Sequence, residues 1–364
     1  METHETNKEQ EQEQESLAHE QRTKERVKKG SVYIAVISIT MMFLGLSSAY
    51  IVSAGDSFWV KFPLPSFFWI STAAIILSSI TFEFAIRLMK NGKSKAAKIL
   101  VLTTSVLGLF FAFAQFKGYQ QLVDKGAYFV NRIMVSNGRY GDYFEIKQGN
   151  DLLVVNGNSF LKKGEFLSED ESKSLEEYAK LFLNPIDSNQ VPKVDLSKNK
   201  ENFSLIYRFE PILEIDGLLH REDSTPLQLS DWIRLQEMMS HIAAGRGDFF
   251  ISGVFGKDFK LYYGGELLQY DNRQLFYKNK PLSRGLQLKL YDSKDNATAY
   301  LYILTILHLL HILATILYMM SFTRRTYMGE FSSSNTLGMR ATAIFWHYLG
   351  ALWLYLLLFL LFIH

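Results

Sequence analysis

The sequence predicts an all-α membrane helix bundle of five transmembrane helices, with an α+β extramembrane domain inserted between the third and the fourth. Three observations carry this reading. The 364 residues average to a mean hydropathy near zero, yet apolar side chains crowd into five runs, each long enough to cross a hydrocarbon core of ~30 Å as a helix. A stretch of mixed charge, residues 119–297, separates the third run from the fourth. Lys and Arg gather at alternate ends of the runs, as they do where short basic loops stay in the cytoplasm.

Taken in order, residues 1–30 are Glu/Gln-rich, nearly free of apolar side chains and too polar for a signal peptide. Such a composition cannot bury enough surface to offset its ordering entropy, so a disordered cytoplasmic tail is expected. The first three spans fall within residues 31–118, near 31–54, 66–88 and 98–117, and the last two within 298–364, near 298–322 and 341–363. None alternates as a strand would. Arg22, Lys24, Arg26, Lys28 and Lys29 precede the first span; Arg87, Lys90, Lys93, Lys95 and Lys98 lie between the second and third; Arg324, Arg325 and Arg340 lie between the fourth and fifth. The short loop after the first span offers only Lys61. The amino terminus is therefore expected inside, with the carboxyl terminus and residues 119–297 outside.

Within the insert, DLLVVNGNSFL, FSLIYRFEPILEI and KLYYGGELLQYDNRQLFY alternate around Asn-Gly, Gly-Gly and Asp-Asn turn signals, which predicts hairpins. One helix is expected over SEDESKSLEEYAKLFL, capped by Ser168, and another over LSDWIRLQEMMSHIAAG, opened by Ser230 or Asp231 and closed by Gly245. The acidic run from Glu165 to Glu177 reads as a solvated helix face rather than a steering patch for a basic partner. His220 and His241 are isolated, and no phosphate-binding glycine loop, nucleophile elbow or metal-spaced His pair occurs in the insert. The chain has no cysteine, which excludes disulfides, thiolate metal sites and covalent attachment of c-type haem.

Polar residues inside spans are costly and so are candidates for a role. Glu83 falls a turn before a basic loop, where pairing with Arg87 is the plainer reading. His308 and His311 share one helix face, and His347 lies in the last span. Three imidazoles can begin a metal or haem site, but such sites want further ligands, and helix–helix hydrogen bonds explain them more simply.

These residues also carry a resemblance. The run T-I-L-H-L-L-H supplies Thr305, His308 and His311; N-T-L-G followed by F-W-H-Y-L-G-A-L-W-L supplies Asn335, Gly338, Trp346, His347, Trp353 and Leu354. Upstream stand P-L-P before the second span, S-S-I-T-F-E-F-A with a basic turn ending in Gly92, and A-Q-F-K-G-Y-Q-Q-L-V-D-K-G-A-Y-F, which contains Gln115, after the third. In order and spacing the five spans resemble subunit III of the haem-copper cytochrome c oxidases, in the bacterial five-helix form, here with a large periplasmic insert. Four acidic positions of that family are replaced, by Ile39, Gly118, Arg340 and Gly350, so a proton-feeding role does not carry over. The family joins the third and fourth of these spans by a short outside loop, and Gly126 to Phe129 looks like its interrupted start.

The resemblance implies a non-catalytic subunit of a respiratory terminal oxidase in a bacterial inner membrane, supporting assembly, lipid binding and stability of the subunit I core. Haem and copper are then expected in subunits I and II, with no cofactor and no metal on this chain, although bound phospholipid is compatible with it. Glu83, Gln115, His308, His311, Trp346, His347 and Trp353 become structural or lipid-contact candidates, and no residue is catalytic. Partners implied are oxidase subunits I and II and lipid, with cytochrome c or a quinol-oxidising complex reached through the insert; no nucleic acid is expected. The equivalent subunit of a quinol oxidase, and a membrane scaffold or sensor with a periplasmic domain, stay open as alternatives.

Overall fold

Helix length and hydropathy coincide along the chain. The computed structural model describes residues 2–185, 192–196, 203–329 and 337–363, and for residues 2–25, 28, 29 and 337 the backbone alone. The apolar runs form α1 (Glu2–Gly55), α2 (Ser66–Lys90), α3 (Ser94–Asp124), α7 (Asn296–Tyr327) and α8 (Leu337–Phe362). Each contains a stretch long and apolar enough to cross a membrane: Gly30–Gly55, Ser66–Lys90, Ser94–Asp124, Asn296–Tyr327 and Gly338–Phe362. The backbone of residues 2–29 is helical and continues into the first span, where the sequence predicts a disordered tail. Its Glu, Gln, Lys and Arg are good helix formers with no Gly or Pro before Gly30, so nothing local stops the helix.

The helix ends follow from particular residues. Pro65, at φ −59°, precedes α2. At its other end Gly92 takes φ +74°, Lys93 donates to the Leu88 carbonyl and Gly92 to that of Met89, the paired bonds of a Schellman motif. The same closure ends α3 at Gly126, where φ is +82° and a Cβ would meet the Ser252 backbone.

The chain divides into two compact units, one of Met1–Ile51, Leu64–Gln120 and Leu301–His364, the other of Val52–Pro63 with Gln121–Tyr300. The second is the expected α+β region, strand-rich and separate from the long helices. Its largest sheet has the order β5-β4-β3-β2-β6-β7, built from β2 (Phe144–Gln148), β3 (Asp151–Asn156), β4 (Ser159–Lys162), β5 (Glu165–Phe166), β6 (Phe203–Tyr207) and β7 (Glu210–Pro211). Against it lie α4 (Glu169–Lys180) and α5 (Leu229–Ala243), around a core that includes Phe144, Ile146, Leu153, Val155, Tyr178, Phe203, Trp232 and Met239. Smaller pieces complete the unit: β8 (Leu213–Ile215) with β9 (Leu218–His220), and β12 (Gln269–Asp271), β13 (Gln274–Tyr277) and β14 (Lys280–Pro281), followed by α6 (Arg284–Asp292). The Asp-Asn signal becomes a two-residue turn in which Asn272 and Arg273 both have positive φ, as a type I′ hairpin requires.

Two features depart from the sequence reading. The loop after the first span is a strand, β1 (Phe58–Lys61), which pairs antiparallel with β10 (Lys260–Tyr263); β10 continues through Gly264-Gly265 into β11 (Glu266–Leu267). The boundary at 119 therefore omits part of this unit. Second, α5 begins at Leu229 after Gln228, whose side chain makes no cap bond, so neither Ser230 nor Asp231 opens it. The Asp231 carboxylate is engaged elsewhere, accepting from Tyr207 Oη at 3.0 Å and Arg221 Nη2 at 2.9 Å. The other end matches expectation: Gly245 takes φ +67° and Arg246 donates to the His241 carbonyl at 2.8 Å. Ser168 caps α4 with a full capping box, reciprocated by Glu171.

Candidate functional site

The candidate residues of the helical unit sort by what faces them. One side of α2 presents Ser71, Thr72 and Ser78, each turned back on its own helix: Ser71 and Thr72 donate to the Phe68 carbonyl and Ser78 to that of Ile75. A hydroxyl occupied this way keeps lone pairs, and these receive the polar atoms of neighbouring helices. Trp353 Nε1 donates to Thr72 Oγ1 at 2.8 Å, Trp346 Nε1 to Ser78 Oγ at 3.0 Å, and Gln115 Nε2 to Ser71 Oγ at 2.7 Å. All three donors are fully buried. Glycines make room for them. A Cβ at Gly108 would lie 2.7 Å from Trp346 Cη2, and one at Gly350 would meet Ser79 and Ile75 at 3.4 and 3.5 Å.

His308 is buried in an aromatic box. Its ring stacks on Trp353 at 5.5 Å and meets Phe111 and Phe43 edge-on at 6.1 and 6.4 Å. Neither ring nitrogen has a hydrogen-bond partner in the structure. The shared-face reading of His308 and His311 extends only to Phe43, which also lies 6.0 Å from His311. The His311 ring turns away to its own helix, Nδ1 donating to the Leu307 carbonyl at 2.6 Å. His347 is half-buried beside Phe82, and Glu83 pairs with Arg87 at 3.1 Å on an exposed face. The structure thus brings Gln115, His308, Trp346 and Trp353 into the helix interior and leaves Glu83, His311 and His347 apart from them. Among the described residues no three His, Cys, Asp or Glu side chains approach closely enough to hold a metal ion.

Sequence reasoning passed over Thr72, Ser78, Gly108, Phe43 and Phe111. The hydroxyls of α2, recurring on one helix face, were the available signal for the first two; nothing local marks the others. A Cβ at Gly118 would lie 2.5 Å from Phe68 Cε1, so a Phe ring fills the space a longer side chain would need.

The second unit holds ionic clusters that sequence reading also missed. Asp248, fully buried, accepts from Arg273 Nη2 at 2.6 Å, Arg139 Nε at 3.3 Å and Tyr270 Oη. Burial, reinforced by the Asp248 carboxylate, pushes the Tyr270 phenol above its ordinary range. Asp295 stands before α7 and accepts from the Thr298 amide at 3.0 Å and from its hydroxyl; burial raises its carboxyl to about 6. The chain matches no protein-family model, no curated protein and no solved structure.

Proposed function

We propose that this chain is the non-catalytic subunit III of a respiratory haem-copper terminal oxidase in a bacterial inner membrane. The observation that supports this best is the interlocking of the two motifs behind the resemblance. His308, from T-I-L-H-L-L-H, stacks on Trp353, from F-W-H-Y-L-G-A-L-W-L, while Gln115 and both indoles are tied to hydroxyls of α2. These residues hold helices together. Cytochrome c oxidation and oxygen reduction then belong to partner chains, with haem and copper in subunits I and II, and this subunit packs against subunit I and binds lipid between its helices.

The proposed topology has the amino terminus in the cytoplasm and the carboxyl terminus with Gln121–Tyr300 in the periplasm. Five alternating crossings require the loop after α1 and the region between α3 and α7 to share one side, as the β1–β10 pairing does. They also require the start of α3 and the end of α7 to share the other, and Lys98 Nζ donates to the Tyr327 carbonyl at 3.0 Å. A periplasmic region is placed to meet subunit II, cytochrome c or a quinol-oxidising complex.

Purification through a tag on this chain in mild detergent, followed by a haem spectrum and mass spectrometry, tests the reading. Haem a absorption and co-purifying subunits I and II are expected. Recovery of the chain without either overturns it, and a subunit II lacking copper would move the assignment to a quinol oxidase.

A further inference from the structure

We infer that a cleft in the second unit, lined by Arg132, Arg246 and Lys294, is a binding site for a phosphate-type oxyanion. The inference does not depend on which complex the chain joins. The cleft has a volume of about 680 Å³, within the usual range of small-molecule sites. Two arginines and a lysine line it against one carboxylate, Glu237, and none of the three makes an ion pair among the described residues.

Two placements show that the positive charge is held there against its own electrostatics. Arg132 and Lys294 are direct cross-strand partners in an antiparallel bridge, where the chain enters and leaves the unit. Like charges directly opposite one another destabilise a strand pair, and an anion between them reverses the sign of that interaction. Arg246 is fixed by the Schellman turn after α5, and its guanidinium lies over the rings of Tyr128 and Phe250 at 5.2 and 5.7 Å. No acceptor among the described residues takes a hydrogen from that guanidinium, and its buried Nε is left without a partner. A buried donor without an acceptor is costly, whereas a planar guanidinium fork with free N–H groups suits two oxygens of one phosphate.

The remaining groups suit the same ligand. Asn131 donates to the Phe250 carbonyl and Arg132 Nη1 to Ser136 Oγ, which orients both side chains along the wall. His241 packs edge-on against Phe250 at 4.8 Å and donates Nε2–H to the Asn137 carbonyl; burial lowers its affinity for a second proton. It therefore adds a neutral wall.

The phosphate can come from a lipid headgroup or from solution. Chain continuity favours the lipid. Tyr128 follows the last residue of α3, Asp124, and Lys294 precedes the first of α7, Asn296, so closely that the chain cannot carry either more than about 15 Å from a helix end. The phosphate layer of a bilayer lies within that reach.

The full chain in phosphatidylcholine nanodiscs provides the test. Phosphatidylglycerol is titrated and its retention counted by native mass spectrometry, and inorganic phosphate is titrated separately by calorimetry. Because Arg246 lies over two rings and its loss could unfold the turn, the main variant is the exposed pair R132Q/K294Q, with K280Q as a single-charge control away from the cleft. At least a tenfold loss of phosphatidylglycerol retention in R132Q/K294Q, with K280Q unchanged and no heat from phosphate, supports the site with a lipid source. The same loss seen with inorganic phosphate supports it with a soluble source. Equal binding of both probes by R132Q/K294Q and the parent chain, an equal loss in K280Q, or binding of neither probe by the parent overturns it.

Discussion

The two units solve the problem of buried polarity in opposite ways. Among the described residues the buried carboxylates are Asp231, Asp248 and Asp295, and all three lie in Gln121–Tyr300. Among its described residues the helical unit buries no carboxylate, Lys or Arg, and its buried polar side chains are chiefly Ser and Thr, with Gln115 and His308. Hydroxyl pairs also link its helices: Thr81 with Thr104 at 2.9 Å, Ser105 with Thr323 at 2.8 Å, Thr40 with Tyr348 at 2.9 Å. An ion in a lipid-surrounded bundle has few compensating dipoles, whereas a hydroxyl satisfies itself on the preceding turn and still accepts a bond. In the strand-rich unit, arginines reach inward from the rim, so a carboxylate can be buried with its partners.

The strongest way to break this contrast is to leave the ionic partners unmatched. Asp248→Ala strands Arg139 and Arg273 against a buried space, and losing one member of such a cluster costs about 3–5 kcal/mol. Hydrogen exchange on the intact protein should show protection lost across residues 121–300 and kept across 64–120. A change below about 1 kcal/mol would mean that the cluster is solvated in use.

Asp295 gives the next largest effect, and it depends on pH. Its folded carboxyl titrates near 6, against 3.8 ordinarily, so the folded chain holds the proton more tightly than the unfolded chain does. Its contribution to stability is full below about pH 4, declines as pH rises through 6, and is flat above, a span on the order of 2–3 kcal/mol. Asp295→Asn keeps a capping oxygen for Thr298 without titrating. The thermal midpoint of D295N relative to the parent should climb between pH 4.5 and 7. A pH-independent difference would show that the carboxyl is not buried in solution.

In the helical unit, overpacking is the corresponding probe. Gly118→Ala places a methyl 2.5 Å from the Phe68 ring, for an expected loss of about 1–3 kcal/mol. Phe68→Leu in the same chain should return part of it. Full additivity of the two changes in detergent melting would separate Gly118 from Phe68.

What the sequence disclosed, and what it hid, follows the same division. The spans were legible because each is a local run of apolar residues, and the hairpins and the Ser168 cap because turn and cap chemistry lies within a few residues of where it acts. β1 was hidden: Phe58–Lys61 is four residues between two helices, and its partner, Lys260–Tyr263, lies some two hundred residues on in sequence. Asp231 was misread as a helix opener because Asp at that point fits capping, and only the tertiary approach of Tyr207 and Arg221 redirects it. His308 and His311 look alike in sequence, and neighbouring helices alone determine that one enters an aromatic box and the other bonds its own backbone.

The smallest effect bears on whether the neutral links of the bundle stabilise it or merely fill space. Trp353→Phe removes the indole N–H that Thr72 accepts, while Thr72 keeps its own bond to the Phe68 carbonyl, so no buried donor is stranded on α2. Interhelical hydrogen bonds in membranes average about 0.6 kcal/mol and reach about 1.7, so the bond itself is expected to contribute about 1 kcal/mol. The single variant will lose more, because a smaller ring leaves a gap beside His308 and Phe111, both of which pack on the indole. A cycle with Thr72→Val separates the two terms: the gap is present with either residue at position 72, whereas the bond is lost once. Detergent melting of the two single variants and the double should show a coupling of about 1 kcal/mol. Strict additivity would assign Trp353 to packing alone and leave the helical unit held by shape, with its hydroxyls satisfied by their own helices.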